Sequence, residues 1–364
     1  MAVIHVVVPL CGVLQVALGL CVPGTFHITI DSVVSYFLFR LSFTQVIFNW
    51  IIFQWVFPQW SIWFILIALS MILGRLLVRT VVYVIDRYNQ RGGPWAPLDS
   101  KDVALVTGGS RGLGMYIVQR LHARGVGKII VLDIAAPKEV SFPSSVELHI
   151  CDVAQEQELK LKLSSILATN KVSILVNNAG VDHRSSLLDM HEDELVRVFN
   201  INMFAQIWAL RSVIRAHLHH NAKSVTGGEP RRLFVVSVSS ILGTLAPRNL
   251  TVYSASKAAV IQLHEGLSQE LKDHVDSLRF LLATPGQLDT GMFGDISPSN
   301  SFLAPVVKAD ELASQIVSRI EKGHAGVISM PLYASLLPMV KCMPTIIQDF
   351  CRWFSDMDNK IKQD

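Results

Sequence analysis

The chain has 364 residues, 51% of them hydrophobic and 17% charged, with a formal net charge of +3. So small a net charge, with no basic run interleaved with aromatics, excludes a nucleic-acid partner. Apolar residues are spread so unevenly that length says little about the number of domains.

Before Pro97 there is no lysine, and the only acidic residues are Asp31 and Asp86. Three apolar stretches run from Val3 to Val22, Val33 to Phe57 and Ile62 to about Ile85. Each is near the roughly 20 residues a helix needs to cross a bilayer. Residues 1–90 are therefore expected to form a membrane-embedded helical region. A buried bundle would show polar faces at helical spacing, and SIWFILIALSMIL shows none. The first stretch lacks the basic start and small-residue cleavage site of a signal peptide. Arg40, inside the second, leaves two or three crossings open. Arg75, Arg79, Arg87 and Arg91 gather on the C-terminal side of the third stretch, which by the positive-inside tendency puts the rest of the chain on the cytoplasmic side.

Residues 91–100 read as a breaker-rich linker. From 101 to 330 the apolar runs VALVTG, KIIVLD, ELHICDV, ILVNNAG, LFVVSVS, RFLLATPG and AGVISM alternate with periodic helical stretches such as HEDELVRVFNINMFAQIWALRSVIRAHL. That alternation predicts an α/β fold, a Rossmann-type doubly wound parallel sheet. The tail, 331–364, mixes apolar and polar residues with prolines, too interrupted to span a bilayer but suited to its surface or to the domain.

The first strand runs into Gly108-Gly109-Ser110-Arg111-Gly112-Leu113-Gly114 and then a helix near Met115. Glycines there let the backbone turn sharply and approach a pyrophosphate at a helix N-terminus. The second strand ends in Asp133, about 20 residues on, where a carboxylate can hydrogen-bond adenosine ribose hydroxyls and repel a 2′-phosphate. NAD is the expected cofactor. Arg111, which could pair with a 2′-phosphate, keeps NADP as the alternative.

Tyr253 and Lys257 stand four apart, and Ser240 precedes Tyr253 by thirteen at the end of LFVVSVS. Residues four apart share a helix face, so the phenol and the ammonium can converge. A nearby cation favours phenolate, which makes Tyr253 a candidate acid/base, and Ser240 can hold the same substrate oxygen. His183, His191, His217, His219 and His220 pair with no Cys or carboxylate at ligand spacing, so surface histidines and no metal are expected. Cys11, Cys21, Cys151, Cys342 and Cys351 lack metal spacing and fit a reducing compartment.

From about Lys101 to Val307 the chain resembles the short-chain dehydrogenase/reductase family, carrying TGGSRGLG, Asp152 in CDV, NNAG at Asn177 to Gly180, Asn202, Ser240, Tyr253, Lys257 and Pro285-Gly286 in order. LDTGMF and the region after it resemble the membrane-bound retinol and hydroxysteroid members of that family. The resemblance implies that Tyr253 moves the proton, Lys257 binds the nicotinamide ribose, Ser240 holds the substrate oxygen and Asn202 holds a water. It also implies that Asp152 meets the adenine, Asn178, Ala179 and Gly180 line the cofactor and brace the sheet, and Thr290 meets the carboxamide. Ala205, three after Asn202, stands where the family often has glycine.

The expectation is thus an oxidoreductase of lipophilic alcohols or carbonyls, retinoid, steroid or long-chain lipid, with the membrane as partner and a homodimer as a further option. The rivals are an NADPH-dependent ketolipid reductase and a non-catalytic membrane scaffold. Lys360 and Lys362 in NKIKQD resemble a K-x-K-x-x retrieval signal, which places the protein in the endoplasmic reticulum membrane, with the lipid droplet as a second location.

Overall fold

The computed structural model describes residues 70, 73–74, 76–77, 80–81, 84, 93, 95–137, 141–223, 231–294, 296 and 304–360. The chain divides into two compact units, 1–88 with 300–305 and 89–299 with 306–364, and nearly all described residues belong to the second. The first two apolar stretches and most of the third lie outside the described residues. Among the described residues no helix is long and apolar enough to cross a membrane.

All seven apolar runs form strands: β1 (Val103–Thr107), β2 (Lys128–Asp133), β3 (Val146–Ile150), β4 (Ile174–Asn177), β5 (Leu233–Val238), β6 (Leu278–Pro285) and β7 (Gly326–Met330). They pair in parallel in the order β3-β2-β1-β4-β5-β6-β7. Every residue of β4, β5 and β6 is buried, because helices cover both faces of the sheet, and these interior parallel strands are accordingly mostly apolar. The edge strands β3 and β7 have partly exposed patterns.

Successive residues point to opposite faces, so β1 splits its side chains between two cores. Ala104 and Val106 pack with α1 (Gly112–Ala123) and, later in the chain, with the buried Leu312 and Ile316 of a helix over Ala309–Lys322. Leu105 packs on the other face with α2 (Glu156–Thr169) and with Ala209 and Val213. The long predicted helix from His191 is three pieces: α3 (Glu192–Phe199), a π turn at Asn200–Phe204, and α4 (Ala205–Lys223). After β5 come a short 3-10 turn, Ile241–Gly243, and α5 (Thr251–Glu270). The helix over Ala309–Lys322 is α6. The tail folds as α7 (Leu332–Lys341), α8 (Thr345–Ser355) and α9 (Met357–Lys360).

Strand order reverses between β1 and β4, and their ends are level, with Thr107 opposite Asn177. A crevice opens outside such a switch point, at the carboxyl ends of the strands.

Candidate active site

The chain leaves β1 through Gly108, whose φ of 66° lies in the left-handed region, and its amide donates to Leu132 O at 2.8 Å. α1 begins at Gly112, three residues earlier than the sequence suggested. Gly114 packs its α-carbon against the turn: a β-carbon there would stand 2.0 Å from Gly108 O. Only glycine lets helix and turn close this far.

The second strand end holds this turn in shape. Asp133 Oδ2 accepts the Ser110 amide at 2.9 Å, and the carboxylate is 8% exposed. From β4, Asn178 Nδ2 donates to Gly108 O at 2.8 Å, while the Asn178 and Ala179 amides both donate to Thr107 Oγ1 at 3.1 Å. Asn178 and Ala179 thus brace the glycine turn across the switch point. Asp152, just past β3, accepts the Ala154 amide and faces Arg197 at 3.6 Å.

Behind the crevice floor Asn202 is fully buried in the π turn. Its Oδ1 accepts the Val181 amide at 2.8 Å, and its Nδ2 donates to Val181 O at 2.9 Å and to Ser256 Oγ at 3.0 Å. Ser256 lies on α5 and donates to Tyr253 O at 2.6 Å, so Asn202 ties the NNAG segment to the helix that bears the phenol. Gly180 lies between Lys257 and Asn202; a β-carbon there would sit 3.2 Å from Lys257 Nζ and 3.3 Å from Asn202 Oδ1.

Tyr253 and Lys257 occupy the first two turns of α5 and are both buried. The Tyr253 hydroxyl shares a hydrogen bond with Ser240. Lys257 Nζ donates to Val238 O at 3.2 Å, and Ser239 Oγ donates to Lys257 O at 2.7 Å, which fixes α5 against the end of β5. Burial pushes the Lys257 ammonium down to about 8. It pushes the Tyr253 phenol above its ordinary value, reinforced by the Asp182 charge and opposed only by the Ser240 hydrogen bond. The expected downward pull of Lys257 on the phenol does not appear in this geometry. The ammonium stands 5.8 Å from the ring centroid, and desolvation outweighs it.

A cavity of about 1080 Å³ joins these parts, somewhat above the roughly 300–1,000 Å³ usual for small-molecule sites. Its walls include Gly108, Arg111, Gly112, Leu113, Asp133 and Asp152 at one end, Asn178, Ala179 and Gly180 along the floor, and Ser240, Tyr253, Lys257, Pro285, Gly286 and Thr290 at the other. Ser110, Gly114 and Asn202 are not on the wall; they stand behind it as supports. A dinucleotide fits this donor set, because the glycine turn leaves room for a pyrophosphate at the α1 N-terminus and a carboxylate waits one strand away.

Several residues of the wall and of its support carry no mark in the local sequence. Arg184, 8% exposed, donates from Nε to Asp182 at 3.2 Å and from Nη2 to Met292 O at 2.6 Å, and its guanidinium lies 5.4 Å from the Phe293 ring. Phe293 in turn meets Tyr253 edge-on at 5.8 Å. The loop after β6 is thereby pinned over the phenol, and Gln287 Nε2 donates to Phe293 O at 3.0 Å from within it. Gln206, 2% exposed, donates to Asn202 O at 3.1 Å and to Val238 O at 3.4 Å, the carbonyl that also takes Lys257.

The histidines form no metal site among the described residues. His217 departs from the expected surface position: it is buried on α4, with its pKa lowered to about 4 by burial.

Known proteins share this fold and part of this sequence. A family model described as short chain dehydrogenase matches residues 102–301. An uncharacterized oxidoreductase of Saccharomyces cerevisiae, TDA5, is 33% identical over 283 residues, covering 76% of this chain and 83% of its own. Estradiol 17-beta-dehydrogenase 11 of Macaca fascicularis is 23% identical over 252 residues, covering 67% and 79%. In three dimensions the chain is similar to a short chain dehydrogenase from Burkholderia cenocepacia solved in complex with NADP. The TM-score is 0.57 at 23% identity, over 70% of this chain and 98% of that one.

Proposed function

The chain belongs to the short-chain dehydrogenase family and is a nicotinamide-dependent oxidoreductase, and from that premise we propose that it interconverts a lipophilic alcohol and its carbonyl using NAD. One observation carries the reading: Tyr253, buried on the cavity wall, has its hydroxyl oxygen hydrogen-bonded by Ser240 while Lys257 stands one helical turn on.

When bound, the nicotinamide gives or takes the hydride at the carbinol carbon. Tyr253 moves the proton at the substrate oxygen, donating it in reduction and accepting it in oxidation. Ser240 Oγ holds that oxygen in the plane of transfer. Phenolate formation is opposed by burial, so it needs a positive charge close by. The Lys257 ammonium, on the same cavity wall and 5.8 Å from the Tyr253 ring centroid, persists below about pH 8, although burial still outweighs it in this geometry. Asn202 keeps the segment that lies between it and Lys257 in register by clamping Val181.

Asp133 supports NAD over NADP, since a carboxylate held at this end of the cavity would repel a 2′-phosphate. The NADPH alternative is supported by Arg111, which lines the same end of the cavity. Lipophilic substrates are supported by Leu288, Met292 and Phe293 at the other end, by the apolar stretches of residues 1–90, and by the name of the estradiol-dehydrogenase relative. The same stretches and the arginines after them support residence in the endoplasmic reticulum membrane with the catalytic domain cytoplasmic. A homodimer remains part of the proposal, without a face assigned to it.

The test is an assay of membranes bearing the full chain with NAD(H) and NADP(H) against retinol, steroid and long-chain alcohols. Turnover with NAD and a hydrophobic alcohol is expected. Activity confined to polar substrates would overturn the substrate class. Protease added to sealed microsomes should digest a C-terminal tag, and a protected tag would overturn the topology.

A further inference from the structure

The tail turns an apolar face outward that the catalytic reading does not use. No residue of α8 is buried. Ile346, Phe350 and Trp353 succeed one another at helical spacing and are 77%, 59% and 75% exposed, with Phe354 at 55% beside them. Phe350 lies 5.8 Å from Trp353 and 6.2 Å from Phe354, ring to ring.

This face is held outward. From the opposite side of α8, Arg352 Nη2 donates to Ala246 O at 2.9 Å and Nη1 meets Asp358 at 3.2 Å, while the Arg248 amide donates to Asp358 at 2.9 Å. Gln348 Nε2 donates to Met343 O at 2.8 Å, which fixes the bend between α7 and α8. Ala246 to Arg248 belong to the short connection between Ser240 and Tyr253. At the other end α7 lies beside Gly286, a wall residue of the cavity: the Tyr333 hydroxyl would lie 2.7 Å from a β-carbon there.

We propose that α8 docks this face on a zwitterionic lipid surface and so sets the mouth of the active-site cavity against the bilayer from which the substrate comes. The substrate half of the proposal rests on the lipophilic reading above; the docking half does not. Size favours lipid over a second copy. Three turns of helix, about 16 Å long and about 10 Å wide, offer a few hundred Å², short of the roughly 800 Å² per partner of a stable protein interface. Chemistry agrees: aromatic and aliphatic side chains face out, Arg352 is spent on the domain, and Asp349 stands at the rim, so insertion is apolar and not electrostatic.

The full chain, reconstituted in phosphatidylcholine vesicles, tests this. Brominated phosphatidylcholine should quench the Trp353 fluorescence, taken as the difference between wild type and Trp353→Phe, and high salt should leave the quenching unchanged. Phe350→Glu with Trp353→Glu should raise KM about tenfold for an alcohol dissolved in the bilayer, a cost of about 1.4 kcal/mol. For a short water-soluble alcohol kcat/KM should stay the same. Trp353 shielded from bromolipid, or cross-linked to itself in a second copy, overturns the docking. Quenching without any change in KM overturns the delivery role. Quenching in a protein that turns over no alcohol would leave the docking standing and remove the lipophilic reading.

Discussion

Asp133 accepts the main-chain amide of Ser110 at 2.9 Å, so the residue that ends β2 also shapes the glycine turn at the end of β1. One carboxylate therefore has two duties: it fixes the backbone of the cradle, and it sets the charge that a ribose or a 2′-phosphate meets. Asp133→Asn separates them, because an amide oxygen can still accept from Ser110 while the negative charge is gone. The NADP-to-NAD ratio of kcat/KM should rise by about tenfold or more, the order of one lost charge repulsion. Steady-state rates with both cofactors check it, and an unchanged ratio would remove Asp133 as the discriminator.

Lys257 gives a prediction about stability. Burial holds its folded pKa at about 8, below the 10.5 of a solvated lysine. Between those two values the unfolded chain binds more protons than the folded one, so stability rises with pH across that window. Below pH 8 the buried ammonium costs its full amount. Lys257→Met should therefore melt a few degrees higher than wild type at pH 7, with the gain fading toward pH 10.5 and activity lost throughout. Melting curves at both pH values decide it; a lower melting temperature at pH 7 would show that the bond to Val238 outweighs desolvation.

Gln206 shares the Val238 carbonyl with Lys257 and also bonds Asn202 O. In Gln206→Leu that carbonyl has one donor fewer and binds the ammonium more strongly. The limb of the kcat–pH profile governed by Lys257 should move upward from about 8, with kcat reduced and the KM for NAD little changed. A residue that merely filled space would lower stability and leave the profile where it was.

Arg184 pins the loop after β6 through Met292 O and the Phe293 ring. Arg184→Met should raise the substrate KM several-fold and admit protease between residues 287 and 296, with the cofactor KM affected less. Equal cleavage of mutant and wild type would show that the loop is held by other contacts.

The site is legible in the sequence only in places, and the reasons are local. Interior parallel strands are buried on both faces and therefore mostly apolar, so β1, β2, β4, β5 and β6 stand out as nearly continuous runs, and the glycine turn, Asp133 and the Tyr253–Lys257 spacing are read from backbone geometry and local charge. The π turn at Asn200–Phe204 leaves no trace, because apolar spacing continues through it; its effect, aiming Asn202 into the core, exists only once α5 packs alongside. Arg184 reads as one polar residue in VDHRSS, and its partner Met292 lies 108 residues away. The direction of the Tyr253 shift runs against the sequence expectation for the same reason: spacing reveals the cation four residues on, whereas the burial that overrides it is assembled from β5, α5 and the Phe293 loop.

The central claim is that Tyr253 moves the proton, and Tyr253→Phe tests it most directly. The substitution removes the hydroxyl bonded to Ser240 and keeps the ring that meets Phe293 edge-on at 5.8 Å, so the cavity and its cofactor end should be preserved. NAD binding by the mutant, measured by fluorescence titration, should match wild type while kcat falls by on the order of a thousandfold, within the range proton-transfer catalysis supplies. Wild-type turnover in a mutant that binds NAD normally would contradict the assignment.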